Sequence, residues 1–231
     1  MAGDRLLRIL AHLQHGDSAP HAPARLCEVA AEVVGVTGSG VMLMSGDVPR
    51  GSVCSSNDVS TLIEDLQYTL GEGPCVDAYH QDRPVLEPNL ADPATPRWLG
   101  FTPPAVAAGA RAIFGFPLQV GAVRLGALNL YRDARGPLTD DQHADALVMA
   151  GVVARAVLDM QAHAAAGALD AGLESGGDFR FVVHQAAGMV SVQLGVGVGE
   201  AFIRLRAYAF SNERPLTEVA ESVVSRQLRF E

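Results

Sequence analysis

The 231-residue chain has room for one domain of ordinary size plus a small one, and its 48% hydrophobic but only 6% aromatic composition implies a core of Ala, Val and Leu. No apolar run approaches the roughly 18 residues of a membrane span, and Asp4, Arg5 and Arg8 interrupt any leader-like opening, so a soluble, cytoplasmic protein without membrane contact is expected. The net charge of −9 argues against an evenly spread phosphate-binding surface, yet residues from Asp178 onward hold six Arg against six acids, so any such surface there is a local Arg cluster.

In chain order, Leu6, Leu7, Ile9, Leu10 and Leu13 recur at helical spacing, with the helix ending near Gly16. After a break at Pro20 and Pro23, Leu26, Val29, Ala30, Val33 and Val34 form a second apolar helix face. Val41 to Met44 predicts a strand, with Arg50 to Ser55 returning beside it as a hairpin. Asp58 is the expected cap of a helix carrying Leu62, Ile63, Leu66 and Leu70. Gly71-Glu72-Gly73-Pro74-Cys75 then breaks the chain, with Glu72 expected to cap its own turn. Pro84 to Pro88 fits only an edge strand, and a loop-rich region with Pro93, Pro96, Trp98, Pro103 and Pro104 follows. Ala112 to Val120 and Val123 to Arg132 are the clearest strands, joined by a tight turn at Gly121-Ala122. Thr139 with Gln142 forms a capping box for a helix from Asp140 to about His163, whose inner face is Ala146, Met149, Ala150, Val153, Val157 and Met160. The Ala/Gly-rich stretch 164–177 marks a linker between an N-terminal part, 1–163, and a tail, 178–231. Three helices are expected in that tail, at 178–194, 199–211 and 215–228, with Pro215 in the first turn of the last.

Cys27, Cys54 and Cys75 are too few and too scattered for a disulfide framework, and no ligand spacing suggests a metal. Cys75, near the start of a short helix, invites a lowered thiol pKa, although a buried structural cysteine is the commoner outcome. Cys75, Tyr79, Trp98 and Phe114 are the candidate sensor-pocket residues, with core packing the alternative for the aromatics. In the tail, Arg204 and Tyr208 lie four apart on one helix face. Arg binds phosphate bidentately and Tyr stacks on an unpaired base. Arg204, Arg206, Tyr208, Arg214 and His184 are the candidate contacts to phosphate and base, which the resemblance given below makes RNA contacts, against the plainer reading of solvated or packing residues.

Residues from about 22 to 162 resemble a GAF domain of actinobacterial type, through Gly71-Glu72-Gly73-Pro74-Cys75 with Ala78, Arg83-Pro84-Val85 with Asn89-Leu90, Phe116-Pro117-Leu118, and Leu125 to Tyr131. The resemblance implies an antiparallel sheet with helices on one side and a small-molecule pocket on the other. Residues from about 181 to 228 are similar to an ANTAR domain, through Ala186-Ala187-Gly188-Met189-Val190, Glu200-Ala201, Leu205-Arg206, Ala209, Leu216, Val219-Ala220 and Val223-Val224. Ala187 stands where many members carry a basic residue, which removes one expected phosphate contact.

Together the resemblances imply an α+β sensor followed by an all-α three-helix module: a non-enzymatic, homodimeric regulator that binds RNA hairpins and acts by transcription antitermination. Two alternatives stand beside it, a GAF-type cysteine-dependent methionine sulfoxide reductase and a protein-docking regulator. No cofactor is assigned. The absence of any Lys excludes the literal form of the cyclic-nucleotide-binding constellation.

Overall fold

A computed structural model describes residues 2–14, 23–45, 48–92, 97–163, 178–212 and 214–231. The helix end near Gly16, the Pro20 break, the Pro93 and Pro96 part of the loop and the 164–177 linker lie outside these residues. The chain divides into two units, Met1–Ala166 and Gly167–Glu231.

The first unit runs α1 (Ala2–Gln14), α2 (Pro23–Val34), β1 (Gly38–Ser45), β2 (Val48–Ser55), α3 (Asp58–Leu70), α4 (Pro74–Gln81), β3 (Val85–Glu87), α5 (Thr102–Ala107), β4 (Ala112–Val120), β5 (Val123–Arg132) and α6 (Asp140–His163). Its five strands form one antiparallel sheet in the order β2-β1-β5-β4-β3. β3, whose three residues are flanked by Pro84 and Pro88, is an edge strand as expected.

Strand alternation assigns the helices to the two faces. On β1, Ser39 Oγ donates to the Cys27 carbonyl of α2 at 2.5 Å, whereas a Cβ on Gly40 would come within 2.7 Å of Glu64 Cγ on α3. On β4, Phe116 packs its ring on His143 of α6 with centroids 5.4 Å apart, whereas Gly115 lies under α4, its Cβ position 3.2 Å from that of Ala78. So α2 and α6 cover one face and α3 and α4 the other. Both faces of the sheet carry helices, and Leu128 and Leu130 of the central β5 are fully buried.

The Thr139–Gln142 capping box forms in both directions, at 3.0 and 3.2 Å. Ala146, Met149, Ala150, Val153 and Val157 of α6 are buried, while Arg5 of α1 is paired with Asp141 and Asp145, and Arg8 with Asp145. Two local expectations change. The loop after Pro96 contains the short α5, and α3 is capped by Asn57, not Asp58. Asn57 Oδ1 accepts from Ser60 N at 2.8 Å and from the Tyr131 hydroxyl at 3.0 Å, while Nδ2 donates to the Thr37 carbonyl at 3.0 Å. One side chain thus joins a helix start to the sheet. Asn57→Ala is expected to cost about 2 kcal/mol, above an isolated cap, measurable as a lower urea midpoint; a loss under about 0.5 kcal/mol would show that the hub adds nothing to stability.

The second unit is a three-helix packing of α7 (Asp178–Leu194), α8 (Val198–Ser211) and α9 (Leu216–Val224). Val183, Ala186, Ala187 and Val190 meet Ala201, Phe202, Leu205 and Ala209 and the buried Leu216, Val219, Ala220 and Val223. The alanines of α7 let its neighbours approach closely. Pro215 is the residue before α9, and the helix ends at Val224, short of Leu228. No single described helix is long and apolar enough to cross a membrane.

Candidate functional site

In the first unit the candidate site lies between α3, α4 and the sheet. The spacing of Ser60, Glu64 and Gln67 sets three polar side chains on one face of α3, and that face is turned inward. Glu64 and Gln67 are fully buried beside Ile63, Leu66 and Leu70, which pack inward as expected, whereas Leu62 of the expected apolar face is exposed. Glycine explains it: Gly38 and Gly40 leave space on β1, and a Cβ on Gly73 would stand 2.6 Å from Gln67 Cγ. Glu64 Oε1 accepts from Asn129 Nδ2 at 3.2 Å, and Gln67 Oε1 accepts from the Cys75 backbone N–H at 2.8 Å. Gln67 Nε2 and Asn129 Oδ1 make no hydrogen bond among the described residues. A buried donor and a buried acceptor are left with capacity to spare, each at a cost of roughly 1–3 kcal/mol.

The glycine-rich turn is held by the same logic. Glu72 does not cap its own turn: its Oε1 accepts from Gly100 N at 2.6 Å and Phe101 N at 2.8 Å, fixing the approach to α5. Trp98 donates from Nε1 to Asp77 Oδ2 on α4 at 3.0 Å, with the Arg97 guanidinium 4.4 Å from its ring. Cys75 and Trp98 share one buried cluster with Phe101 and Ile113. Tyr79, one turn after Cys75 on α4, is buried with the Arg124 guanidinium 5.2 Å from its ring. Phe114 does not join them: alternation from Ile113 and Gly115 turns it to the α6 face, where it is core.

Cys75 is fully buried, the commoner of the two outcomes weighed for it. Burial pushes its thiol well above the ordinary range, the nearby Glu64 carboxylate pushes it further, and the Gln67 contact opposes only in part. Its helix-start position is outweighed by desolvation. The folded state thus keeps a proton that the unfolded chain releases above about pH 8.5, so this group's contribution to stability is present below that pH and lost as pH rises. We expect the native protein at pH 7.5 to leave Cys75 unmodified by iodoacetamide over hours, with rapid labelling after unfolding, read by peptide mass spectrometry. Comparable native labelling would refute the inert thiol.

Cys27 of α2 and Cys54 of β2 form a disulfide, which the sequence reading did not anticipate. It lies on the face opposite α4, so the three cysteines do not converge. Among the described residues no group of three or more His, Cys, Asp or Glu could hold a metal.

In the second unit the five candidate contacts fall into separate groups. Arg206 sets its guanidinium 4.7 Å from the Phe202 ring, which also meets His184 at 5.4 Å, so Phe202 joins these two. Arg204 pairs with Glu200 at 2.9 Å. Arg214 donates to Ser222 Oγ at 2.9 Å and the Glu218 carbonyl at 3.3 Å. Tyr208 packs on Phe230, ring centroids 5.4 Å apart. Ala187 is fully buried, so this position serves packing. Phe202, Phe230 and Gln193 were missed; only the four-residue spacing of Phe202 and Arg206 offered a signal.

A unit built on a five-stranded sheet followed by a small three-helix unit defines a two-domain protein. The chain belongs to the GAF domain family, which matches residues 24–159, and it carries an ANTAR domain over residues 173–224. Both expected family assignments hold. The first unit is similar to the GAF domain of a phosphoenolpyruvate-protein phosphotransferase from Coxiella burnetii (12% identity, TM-score 0.52, covering 70% of this chain and 95% of that one) and of one from Acinetobacter (13%, 0.51, 70% and 96%). It is also similar to free methionine-R-sulfoxide reductase from Neisseria meningitidis (13%, 0.50, 71% and 92%). At these identities the likeness is one of fold. The comparison with curated proteins gives no match.

Proposed function

We propose that the chain is a signal-responsive RNA-binding regulator acting by transcription antitermination, with residues 1–163 as sensor, 164–177 as linker and 178–231 as RNA-binding module. The observation that carries this reading is the order of a GAF domain and an ANTAR domain in one chain. In the sensor, Gln67 Nε2 and Asn129 Oδ1 are the groups we assign to a small polar ligand, with Cys75, Tyr79 and Trp98 around it. In the tail, Arg204, Arg206, Arg214 and His184 supply cationic or donor groups for phosphate, and RNA loops offer Tyr208 the unpaired base that duplex DNA withholds. The reductase alternative is weakened by a buried, protonated Cys75 set apart from the Cys27–Cys54 pair.

A homodimer is part of the proposal. A groove of about 690 Å³ between α1, α2 and α6 is lined by Leu6, Leu10, Leu26, Val148 and Val152, and Arg155 and Asp159, one turn apart on α6, border it. A two-fold contact buries this apolar lining against the same surface of a second copy.

The test is binding of the full chain to hairpin RNAs across a salt series, together with single-round transcription through a terminator. Arg204→Gln is expected to weaken binding and to lower the salt slope by about one, and added protein is expected to raise read-through. RNA binding with unchanged read-through would remove antitermination and leave the RNA-binding reading standing.

A further inference from the structure

The segment after α9 lies beyond the matched ANTAR residues 173–224 and folds back on the helices. Arg226 takes a left-handed conformation with φ 62°, and the N–H groups of Gln227 and Leu228 both donate to the Ser222 carbonyl, at 2.8 and 2.9 Å. A β-free backbone such as glycine's suits that conformation best, so an arginine there is a local cost that the fold-back offsets. The Phe230 N–H then donates to Gln193 Oε1 on α7 at 3.0 Å, and the Phe230 ring lies against Tyr208 of α8.

Two features of this corner are unusual for mere packing. Tyr208 and Phe230 are each only partly buried, their rings tilted at 59°, so aromatic surface remains in contact with water. Arg226 and Arg229 are exposed and make no ion pair or side-chain hydrogen bond among the described residues. Arg204 stands one helical turn before Tyr208 on the same face of α8. A two-ring surface with exposed arginines close in the chain, Arg229 next to Phe230 and Arg204 one turn before Tyr208, matches a nucleotide in both its parts, a flat base and an anionic phosphate. Sequence-tolerant recognition of single-stranded nucleic acid is built this way, with a base on an aromatic face and cations along the backbone.

The geometry points to a nucleotide-stacking site formed by Tyr208 and Phe230, with Arg226 and Arg229 as its phosphate contacts, taking one unpaired base of a hairpin loop. The inference rests on the RNA-binding reading above and places the base contact partly outside the matched family segment. Gln193 is a positioning residue: it holds the backbone of residue 230 and touches no RNA.

The experiment uses the full chain and fluorescence anisotropy with hairpin RNAs of randomised loop sequence, beside the same stems with abasic loops and a blunt duplex. Phe230→Leu keeps apolar packing and removes the flat ring; it is expected to weaken hairpin binding about 5- to 100-fold and to change abasic-loop binding little. Arg226→Gln/Arg229→Gln is expected to weaken all RNAs and reduce the salt slope by about one to two. Thermal melts of each variant, matching the wild type, separate these effects from unfolding. Hairpin binding unchanged in Phe230→Leu, or an equal loss on intact and abasic loops, would overturn the stacking site while RNA binding stands. Should the wild type bind none of the RNAs, the RNA-binding reading itself falls, and this site with it.

Discussion

Gly115→Val is expected to lower the stability of the first unit by about 3 kcal/mol, at the upper end of overpacking in a core. A Cβ at this position of β4 would stand 2.7 Å from the Pro74 carbonyl carbon and 3.2 Å from Ala78 Cβ. The Ala78 methyl has some freedom to shift, but the Pro74 carbonyl belongs to the first turn of α4 and moves only with the helix. Lifting α4 would strain the Gln67–Cys75, Glu72–Phe101 and Asp77–Trp98 hydrogen bonds together, because all three tie that turn to its neighbours. Gly151→Ala is the matched control: nothing lies within 4 Å of its Cβ position on α6, and alanine is favoured over glycine inside a helix by about 1 kcal/mol. Urea unfolding at unchanged m-value should move the two midpoints in opposite directions. A Gly115→Val midpoint near the wild type would show that α4 rides loosely on the sheet, and with it the candidate pocket.

Much of this architecture was legible because period and punctuation agree. Val123 to Arg132 forms a strand although only its first part alternates apolar with polar, Gly121-Ala122 turns, and the Thr139–Gln142 box opens α6; each signal is local, and each element forms where its signal lies. The tail helices were legible for the same reason, apart from the end of α9, where residues 225–231 turn back through contacts to Ser222 and Gln193 that no local pattern announces. The site was less legible. Glu64 and Gln67 carry no apolar signal on a helix marked by Leu62 and Leu66, and glycines elsewhere in the chain, Gly40 on β1 and Gly73 before α4, make room for them inside. Glu72 and Asp77 serve backbone and indole donors more than twenty residues ahead, a pairing set by the fold. Phe114 shares composition with pocket residues, but strand parity places it on the other face.

The Cys27–Cys54 bond gives a second large effect, and the physics separates it from ordinary packing. It joins α2 to the edge strand β2 across 27 residues, with Cα atoms 6.0 Å apart. Closing a loop of that length in the unfolded chain removes conformational freedom worth about 3.5 kcal/mol by the chain-entropy relation. In the folded state Cys27 is fully buried and Cys54 is 8% exposed, and thiols suit such surroundings as small apolar groups. Reduction should therefore act mainly through the unfolded state, leaving the native fold in place. The expected result is an oxidised protein about 3.5 kcal/mol more stable than the same protein in dithiothreitol, seen as a higher urea midpoint. Cys27→Ala/Cys54→Ala should match the reduced wild type and ignore the reductant, whereas Cys75→Ala should retain the full response because Cys75 takes no part in the bond. Equal midpoints for wild type with and without reductant would mean that the bond adds no constraint to the unfolded chain. A reductant-dependent loss of native circular dichroism would mean instead that β2 depends on the bond to stay paired with β1.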